Sequence, residues 1–162
     1  MANLNVIEGG LVATGGQRFA IVAARFNGLV VDRLVDGAVD ALVRHGVAAA
    51  NIDLIRVPGA YELPLALRKV AGSKRYAAVV AVGAVIKGDT SHFDFVAGEC
   101  ASGVSRAMHE SDVPVAFAVL TTDTLEQALD RAGGKAGNKG ADCALAALEM
   151  ANLLQRLEGW TS

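Results

Sequence analysis

Short apolar runs alternate with amphipathic segments along this chain. The runs lie at 18–24, 51–57, 77–85 and 113–120, and such runs are typical of strands buried on both faces of a sheet. The segments between them repeat apolar residues at helical spacing, as helices with one buried face do. This alternation of strand and helix predicts an α/β fold, with a parallel sheet covered by helices on both sides.

The full pattern predicts a three-layer αβα sandwich around a four-stranded parallel sheet, doubly wound in the flavodoxin-like manner. Helices are predicted to end near Gly46, Val70 and Ser111, and two more are predicted at 125–132 and 141–157. No internal repeat, linker or low-complexity run divides the 162 residues. We therefore expect a single domain spanning 1–162.

Residues 1–16 form an N-terminal arm ahead of the first predicted strand. The arm ends in the turn signal Thr14–Gly16. Within it, Val6–Ile7 and Leu11–Ala13 are the candidates for a short strand. Such a strand is expected to add to the sheet edge of a neighbouring subunit.

The charge balance excludes two classes of partner. The formal net charge is −2, with 15 Lys and Arg against 17 Asp and Glu, so we expect neither nucleic acid nor a membrane surface as partner. The mean hydropathy of +0.37 is high for a soluble monomer, yet no apolar run is long enough to span a bilayer. Large subunit interfaces reconcile these two facts. A homo-oligomer is therefore expected.

The cysteines and histidines argue against a metal site. Cys100 and Cys143 lie in apolar helical patterns without metal-ligand spacing, which predicts buried free thiols in a reducing compartment. The three histidines are scattered, and His45 and His109 are interpreted as groups near helix C-termini. The first residues show no secretory signal, so a cytoplasmic location is expected.

The stretch Gly83–Asp94 is the clearest candidate for a functional site in the sequence. It joins a buried strand to a helix, with Gly88 in the turn and Thr90 or Ser91 as candidate N-cap. Backbone N–H groups at a helix start favour an anion such as phosphate, and His92 stands in the first turn beside them. The alternative is that these residues only cap the helix and that His92 is merely exposed.

Four segments that follow strands are expected to meet at one edge of the sheet, because ligands in such folds sit outside the carboxyl ends of the strands. The segments are Arg25–Gly28, Pro58–Glu62, Ile86–His92 and Thr121–Asp123. They are expected to place the aromatic ring of Phe26, which can stack on a ligand, and the carboxylate of Glu62 near the strand-to-helix turn that favours an anion. Two interpretations of Arg131 and Lys135 stay open, namely capping of a helix C-terminus and binding of a phosphate.

Five motifs in this order resemble the lumazine synthase family, which catalyses the penultimate step of riboflavin biosynthesis. The resemblance runs from about Arg18 to Leu157. The motifs are Ala24–Asn27, Val57–Glu62, Gly83–Phe95, Leu120–Thr122 and Arg131–Gly140. It implies condensation of 5-amino-6-(D-ribitylamino)uracil with 3,4-dihydroxy-2-butanone 4-phosphate to 6,7-dimethyl-8-ribityllumazine, with release of phosphate and water and no metal or organic cofactor.

The resemblance also implies a role for each matching residue, with His92 as the proton-transfer residue. The pyrimidine and ribityl side is expected to involve Phe26, Ala60, Tyr61, Glu62, Ala84, Val85, Ile86, Phe117 and Lys139. The phosphate is expected to meet Asp89, Thr90 and Arg131. The sequence departs from the family pattern at Tyr61, where Phe is frequent, and Asp89 places a carboxylate near the expected phosphate.

Assembly is implied by the same resemblance. Members of the family form pentamers with active sites between neighbours, where Phe117, Arg131 and Lys139 come from the adjacent subunit. The compact bend Gly133–Asn138 favours the icosahedral 60-mer over the free pentamer, with riboflavin synthase as a candidate cage cargo. Two alternatives are a non-catalytic flavin- or lumazine-binding shell protein of the same fold and a generic flavodoxin-like flavin carrier.

Overall fold

The central sheet contains four parallel strands, as predicted. The computed structural model describes residues 2–160. The strands are β1 (Phe19–Ala24), β2 (Ile52–Val57), β3 (Ala78–Ile86) and β4 (Val115–Thr122), in the spatial order β2-β1-β3-β4. Phe19 of β1 pairs with Ile52 of β2 on one side and with Ala78 of β3 on the other. All four carboxyl ends therefore lie at one edge of the sheet.

Within the described residues 2–160, five α-helices cover the two faces of the sheet. They are α1 (Gly28–Arg44), α2 (Leu63–Gly72), α3 (His92–Ser111), α4 (Leu125–Arg131) and α5 (Lys139–Glu158). Helices α1, α4 and α5 bury their apolar residues in one core, and α2 and α3 bury theirs in the other. The predicted three-layer αβα sandwich is thus confirmed.

Strand β1 lies at the centre of both cores. Phe19 and Ile21 face one core, and Ala20 and Val22 face the other. All six residues of β1 are buried, which explains why its sequence is continuously apolar. Strand β2 is an edge strand with mostly half-buried residues, and this explains its mixed composition.

The glycine-rich segment after α4 forms a small hairpin that the sequence did not predict. Strands β5 (Ala132–Gly134) and β6 (Gly137–Asn138) pair antiparallel. Gly133 and Gly137 have φ of 101° and 82°, values that favour glycine. The Asn138 side chain accepts a hydrogen bond from Ala141 N at 3.1 Å and donates one to Arg33 O at 3.0 Å. This residue therefore caps α5, starts that helix at Lys139 and attaches the hairpin to α1.

The N-terminal arm contains no strand between residues 2 and 16. Its backbone is instead bound to the last helix of the same chain. Asn152 Nδ2 donates to Gly10 O at 2.7 Å and to Val12 O at 3.0 Å, and Arg156 Nη1 donates to Glu8 O at 2.6 Å. Neither candidate segment, Val6–Ile7 or Leu11–Ala13, is a strand within the single chain, and in the second of them α5 takes the carbonyl group of Val12. Pairing of the arm with a neighbouring subunit stays a prediction.

Both cysteines are free thiols. Cys100 is fully buried, and this burial raises the pKa of its thiol to about 11. Cys143 is only half-buried, and desolvation also raises the pKa of that thiol. The prediction of burial is confirmed for Cys100 and is only partly right for Cys143. His45 Nδ1 lies 2.7 Å from Ala41 O in the last turn of α1, which confirms its interpretation as a helix-terminal group.

None of the helices within residues 2–160 combines the length and the apolar character that crossing a membrane requires.

Substitution of Gly140 tests the close packing of α1 against α5. A Cβ at Gly140 would overlap the backbone carbonyl of Leu34, and backbone atoms cannot move aside easily. We expect Gly140→Ala to lower the free energy of unfolding by about 1–3 kcal/mol, as measured by chemical denaturation at fixed protein concentration. Gly72→Ala is the matched control, because a Cβ there meets nothing within 4 Å. Equal stability of the two variants would contradict this packing.

Candidate active site

A pocket of about 680 Å³ opens at the carboxyl ends of β1, β2 and β3. It combines large aromatic side chains with a carboxylate, an amide and an imidazole. The residues that line it are Phe26, Asn27, Pro58, Gly59, Ala60, Tyr61, Glu62, Ala84, Val85, Ile86, His92, Phe95 and Val96. Three of the four predicted segments therefore meet here.

The first two of these segments are joined by hydrogen bonds that continue the pairing of β1 with β2. Arg25 N donates to Val57 O at 2.8 Å, and Phe26 N donates to Pro58 O at 3.0 Å. This backbone pairing places Phe26 beside Gly59. The Phe26 side chain is 73% exposed, so its ring is available to a ligand.

Glycine at position 59 makes room for the Glu62 carboxylate. A Cβ at Gly59 would stand 3.1 Å from Glu62 Oε2, which is closer than most such contacts. Residues Ala60–Glu62 form a single 3₁₀ turn that leads into α2. Ala60 is buried in this turn, whereas Tyr61 and Glu62 are exposed. The turn thus presents a second aromatic ring and a carboxylate at the pocket.

Asn27 connects the segment after β1 to the end of β3. Its Nδ2 donates to Ala84 O at 2.8 Å, and its backbone is left-handed with φ of 63°. Asn tolerates this conformation better than most residues with a side chain. No role was predicted for Asn27 from the sequence, although the residue belongs to the motif Ala24–Asn27. Its isolated position beside Gly28 gave no signal of this long-range bond.

The far wall of the pocket is formed by the end of β3 and the start of α3, and the turn that joins them lies just outside it. Helix α3 begins at His92, and Thr90 Oγ1 accepts a hydrogen bond from His92 N at 3.4 Å. Ser91 takes the N-cap position without a side-chain capping bond. Asp89 and Thr90 are exposed and do not line the pocket. They lie in the turn just ahead of His92.

Helix α3 also supplies two lining residues that had no assigned role, Phe95 and Val96. They follow His92 by three and four positions, so the three side chains share one helix face. That periodicity was the signal that would have identified them. Phe95 is 72% exposed and adds another unpacked aromatic ring to the site.

Besides Asp89 and Thr90, three predicted site residues lie outside the pocket of this chain. Phe117 is half-exposed in the edge strand β4, and its carbonyl accepts a hydrogen bond from Cys143 Sγ at 3.3 Å. Arg131 is the last residue of α4, and its Nη1 donates to Gln127 O at 3.0 Å. Lys139 is the first residue of α5. The exposed Arg131 therefore caps its own helix here, and Lys135 lies 3.7 Å from the Asp130 carboxylate.

The fourth predicted segment, Thr121–Asp123, stands at the carboxyl end of β4, at the predicted edge of the sheet, but it does not line the pocket. Strand β4 is at the edge of the sheet beyond β3. Thr122 is buried, and its Oγ1 donates to Thr124 O at 2.9 Å. The segment serves to start α4.

Within residues 2–160, no group of three or more His, Cys, Asp or Glu side chains is placed to hold a metal ion. The pocket instead offers flat aromatic rings for a heterocycle and the Glu62 carboxylate for hydroxyl groups. The start of α3 suits an anion, and the His92 imidazole can donate or accept a proton. These groups suit the binding of a planar, hydroxylated compound together with an anionic compound.

Comparison with known proteins agrees with this chemistry. A family model described as 6,7-dimethyl-8-ribityllumazine synthase matches residues 16–155. The chain belongs to the 6,7-dimethyl-8-ribityllumazine synthase family. One relative, the 6,7-dimethyl-8-ribityllumazine synthase of Halorhodospira halophila (strain DSM 244 / SL1), is 59% identical over 155 residues, which cover 96% of this chain and 99% of that protein. The resemblance drawn from the five motifs to the lumazine synthase family is confirmed.

Substitution of Asn27 tests how the pocket is held together. Asn27→Ala removes the bond to Ala84 O and places an unsuitable residue at a left-handed position, so we expect the free energy of unfolding to fall by about 1–3 kcal/mol. Asn27→Gly loses the same bond but tolerates the backbone conformation. In chemical denaturation, Asn27→Gly should therefore lower the free energy of unfolding less than Asn27→Ala does. A Gly variant less stable than the Ala variant would contradict this account.

Proposed function

We propose that this chain condenses 5-amino-6-(D-ribitylamino)uracil with 3,4-dihydroxy-2-butanone 4-phosphate in the pocket at the carboxyl ends of β1, β2 and β3. The product is 6,7-dimethyl-8-ribityllumazine, released with phosphate and water in the penultimate step of riboflavin biosynthesis. The observation that carries the proposal is the meeting of Phe26, Tyr61, Glu62 and His92 in one pocket, in a chain of this family.

The pyrimidine substrate fits the aromatic side of the pocket. Phe26 offers a ring for stacking on the heterocycle. The Ala60–Glu62 turn faces the ribityl chain, where the Glu62 carboxylate accepts hydrogen bonds from hydroxyl groups. The pairing of β1 with β3 ends at Ala23 and Val82, whereas β3 continues to Ile86. Ala84, Val85 and Ile86 line the pocket there, and apart from Ala84 O, which accepts from Asn27, the backbone groups on the β1 side of this segment are available to the polar edge of the ring.

The phosphate of the second substrate fits the start of α3. The backbone N–H groups of Asp89 and Thr90, just ahead of the helix start, are assigned to the phosphate, and the helix dipole adds to their attraction for an anion. The Asp89 carboxylate is exposed, so it can turn towards solvent. Arg131 of an adjacent subunit is assigned as the charged partner of the phosphate.

The reaction requires little covalent help from the protein. The amine of the pyrimidine attacks the ketone and loses one water to form an imine, phosphate is eliminated, and the second amine closes the ring with loss of a second water. Orientation of the two substrates and stabilisation of the departing phosphate supply most of the catalysis. His92 stands at the pocket and in the first turn after the phosphate-binding segment, where it is placed to transfer protons.

We also propose a homo-oligomer in which neighbouring subunits complete each site. Phe117, Arg131 and Lys139 are exposed and lie outside the pocket of their own chain. The high mean hydropathy and large exposed side chains such as Leu4, Val6 and Trp160 support extensive interfaces. The family resemblance favours a pentamer, and the short β5–β6 hairpin favours its assembly into an icosahedral 60-mer with riboflavin synthase as candidate cargo. A cytoplasmic location follows from the same pathway.

Replacement of His92 tests the proposed chemistry. We expect His92→Ala to slow lumazine formation by about 10²-fold or more, because a positioned proton-transfer group contributes that much. Binding of the pyrimidine substrate, measured by fluorescence titration, should change little. His109→Ala in the last turn of the same helix is the control. Unchanged turnover in His92→Ala would remove this residue from its role.

Replacement of Arg131 tests the proposed phosphate contact. Arg131→Ala should raise the KM for 3,4-dihydroxy-2-butanone 4-phosphate by about tenfold or more, since a charge-assisted bond to the phosphate is lost. The KM for the pyrimidine should change much less. Steady-state kinetics with each substrate varied in turn separates the two effects. A change confined to the pyrimidine would contradict the assignment.

Mixed oligomers test the sharing of sites between subunits. If each site takes His92 from one subunit and Arg131 from its neighbour, co-assembly of His92→Ala and Arg131→Ala chains restores about a quarter of the sites in a random equal mixture. The mixed assembly should then outperform both parent assemblies at low concentrations of the phosphate substrate. If the activity is no higher than the mean of the two single-variant assemblies, His92 and Arg131 of the same chain belong to one site.

A further inference from the structure

Gln127 is bonded to the start of α4 and also to the arginine at its end. Its Oε1 accepts hydrogen bonds from Asp123 N at 2.9 Å and from Thr124 N at 3.3 Å. Its backbone N–H donates to Thr124 Oγ1 at 3.1 Å. Its carbonyl accepts from Arg131 Nη1 at 3.0 Å. One residue therefore joins the N-terminal cap of this helix to the guanidinium at its C-terminus.

Helix α4 depends on such bonds because it is short. Its seven residues make about two turns, and an isolated helix of this length is not stable in water. Thr124 and Gln127 form a complete capping box, which satisfies orphan N–H groups at the helix start. Ala128 is buried in the core beneath the helix. The cap and this small contact fix where the helix points.

The cap is attached to the rigid part of the sheet. Thr122 Oγ1 donates to Thr124 O at 2.9 Å, and Lys87 N donates to Thr122 O at 2.9 Å. Lys87 directly follows β3 and precedes the turn that leads to His92. The start of α4 is thereby held against the ends of β3 and β4.

The other end of α4 is held by the hairpin. Ala136 N donates to Asp130 O at 2.9 Å, and a Cβ at Gly134 would stand 2.7 Å from Asp130 Cα. The backbone of Arg131 is therefore fixed on both sides, while its side chain is exposed. An exposed arginine loses conformational entropy when it is held in one geometry. The bond to Gln127 O selects one geometry in advance, and a guanidinium keeps further N–H donors for an anion.

We propose that Gln127 is a positioning residue, which orients Arg131 for the phosphate of the substrate through the capping box and its own carbonyl. The inference rests on the proposed function of Arg131 as the phosphate partner. Gln127 touches neither substrate in this account. Its contribution is to orient the arginine before the phosphate arrives, and this lowers the entropy lost on binding.

The test is a comparison of KM values in the assembled enzyme. Gln127→Ala should raise the KM for 3,4-dihydroxy-2-butanone 4-phosphate by about threefold to tenfold, as expected for loss of a cap interaction, and leave the KM for the pyrimidine unchanged. Gln127→Glu should stay within about twofold of the parent enzyme, because Glu also completes a capping box. Glu126→Ala, at an exposed neighbouring position of α4, is the control and should change neither KM.

A double variant separates positioning from general damage. In the Arg131→Ala background, Gln127→Ala should cause no further rise in the KM for the phosphate substrate, since the group that it orients is gone. Full additivity, or an equal rise in both KM values, would overturn the positioning role. If Gln127→Ala does not assemble, Gln127→Asn replaces it with the same expectation, because the shorter amide cannot span the capping box.

The outcomes also distinguish this inference from the proposed function. If Arg131→Ala raises the KM for the phosphate substrate and neither Gln127→Ala nor Gln127→Asn does, the positioning role is wrong and the phosphate assignment stands. If Arg131→Ala itself leaves that KM unchanged, the phosphate assignment fails first.

Discussion

The pocket depends on the parallel pairing of β1 with strands on both of its sides. The segment after β1 turns to α1 on one face of the sheet, whereas the segments after β2 and β3 turn to α2 and α3 on the other. Neighbouring segments that part in this way leave a crevice at the strand ends. The Asn27 side chain spans this crevice with its bond to Ala84 O. The aromatic and anion-binding sides of the site are thus held at a fixed separation.

The small residues of the core make this arrangement possible. All six residues of β1 are buried, and three of them are alanine. At Gly140 the backbone of α5 meets the carbonyl of Leu34 so closely that no side chain fits between them. Close packing of this kind leaves the helix starts little freedom to move. Exposed side chains such as Phe26 and His92 are therefore presented from a rigid frame.

Much of this could be predicted from the sequence, because the strands are continuously apolar and the chemistry follows directly after them. Phe26, Glu62 and His92 each come within five or six residues of a strand end in the chain, and parallel topology brings such positions together. Thr121–Asp123 lies at the same edge but outside the pocket, because β4 stands beyond β3, and this spatial order of strands is not contained in an apolar pattern. The bond from Asn27 to Ala84 and the β5–β6 hairpin were missed for a similar reason. Neither has a periodic signal, and the first joins residues 57 positions apart.

The contacts of Arg131 bear on the two interpretations of this residue, capping of its own helix and binding of a phosphate. In its own subunit this arginine caps α4 by donating to Gln127 O, which matches the simpler of the two interpretations that the sequence left open. The same geometry leaves the side chain exposed and the guanidinium with unused donors. Capping and phosphate binding are therefore compatible roles, since the first orients the group for the second.

The most direct test of the account is to mix the purified chain with both substrates and to follow the lumazine chromophore by absorbance and fluorescence. We expect product formation well above the uncatalysed rate. No enhancement, with the pyrimidine substrate still bound, would contradict the enzymatic function and indicate a lumazine-binding shell protein instead.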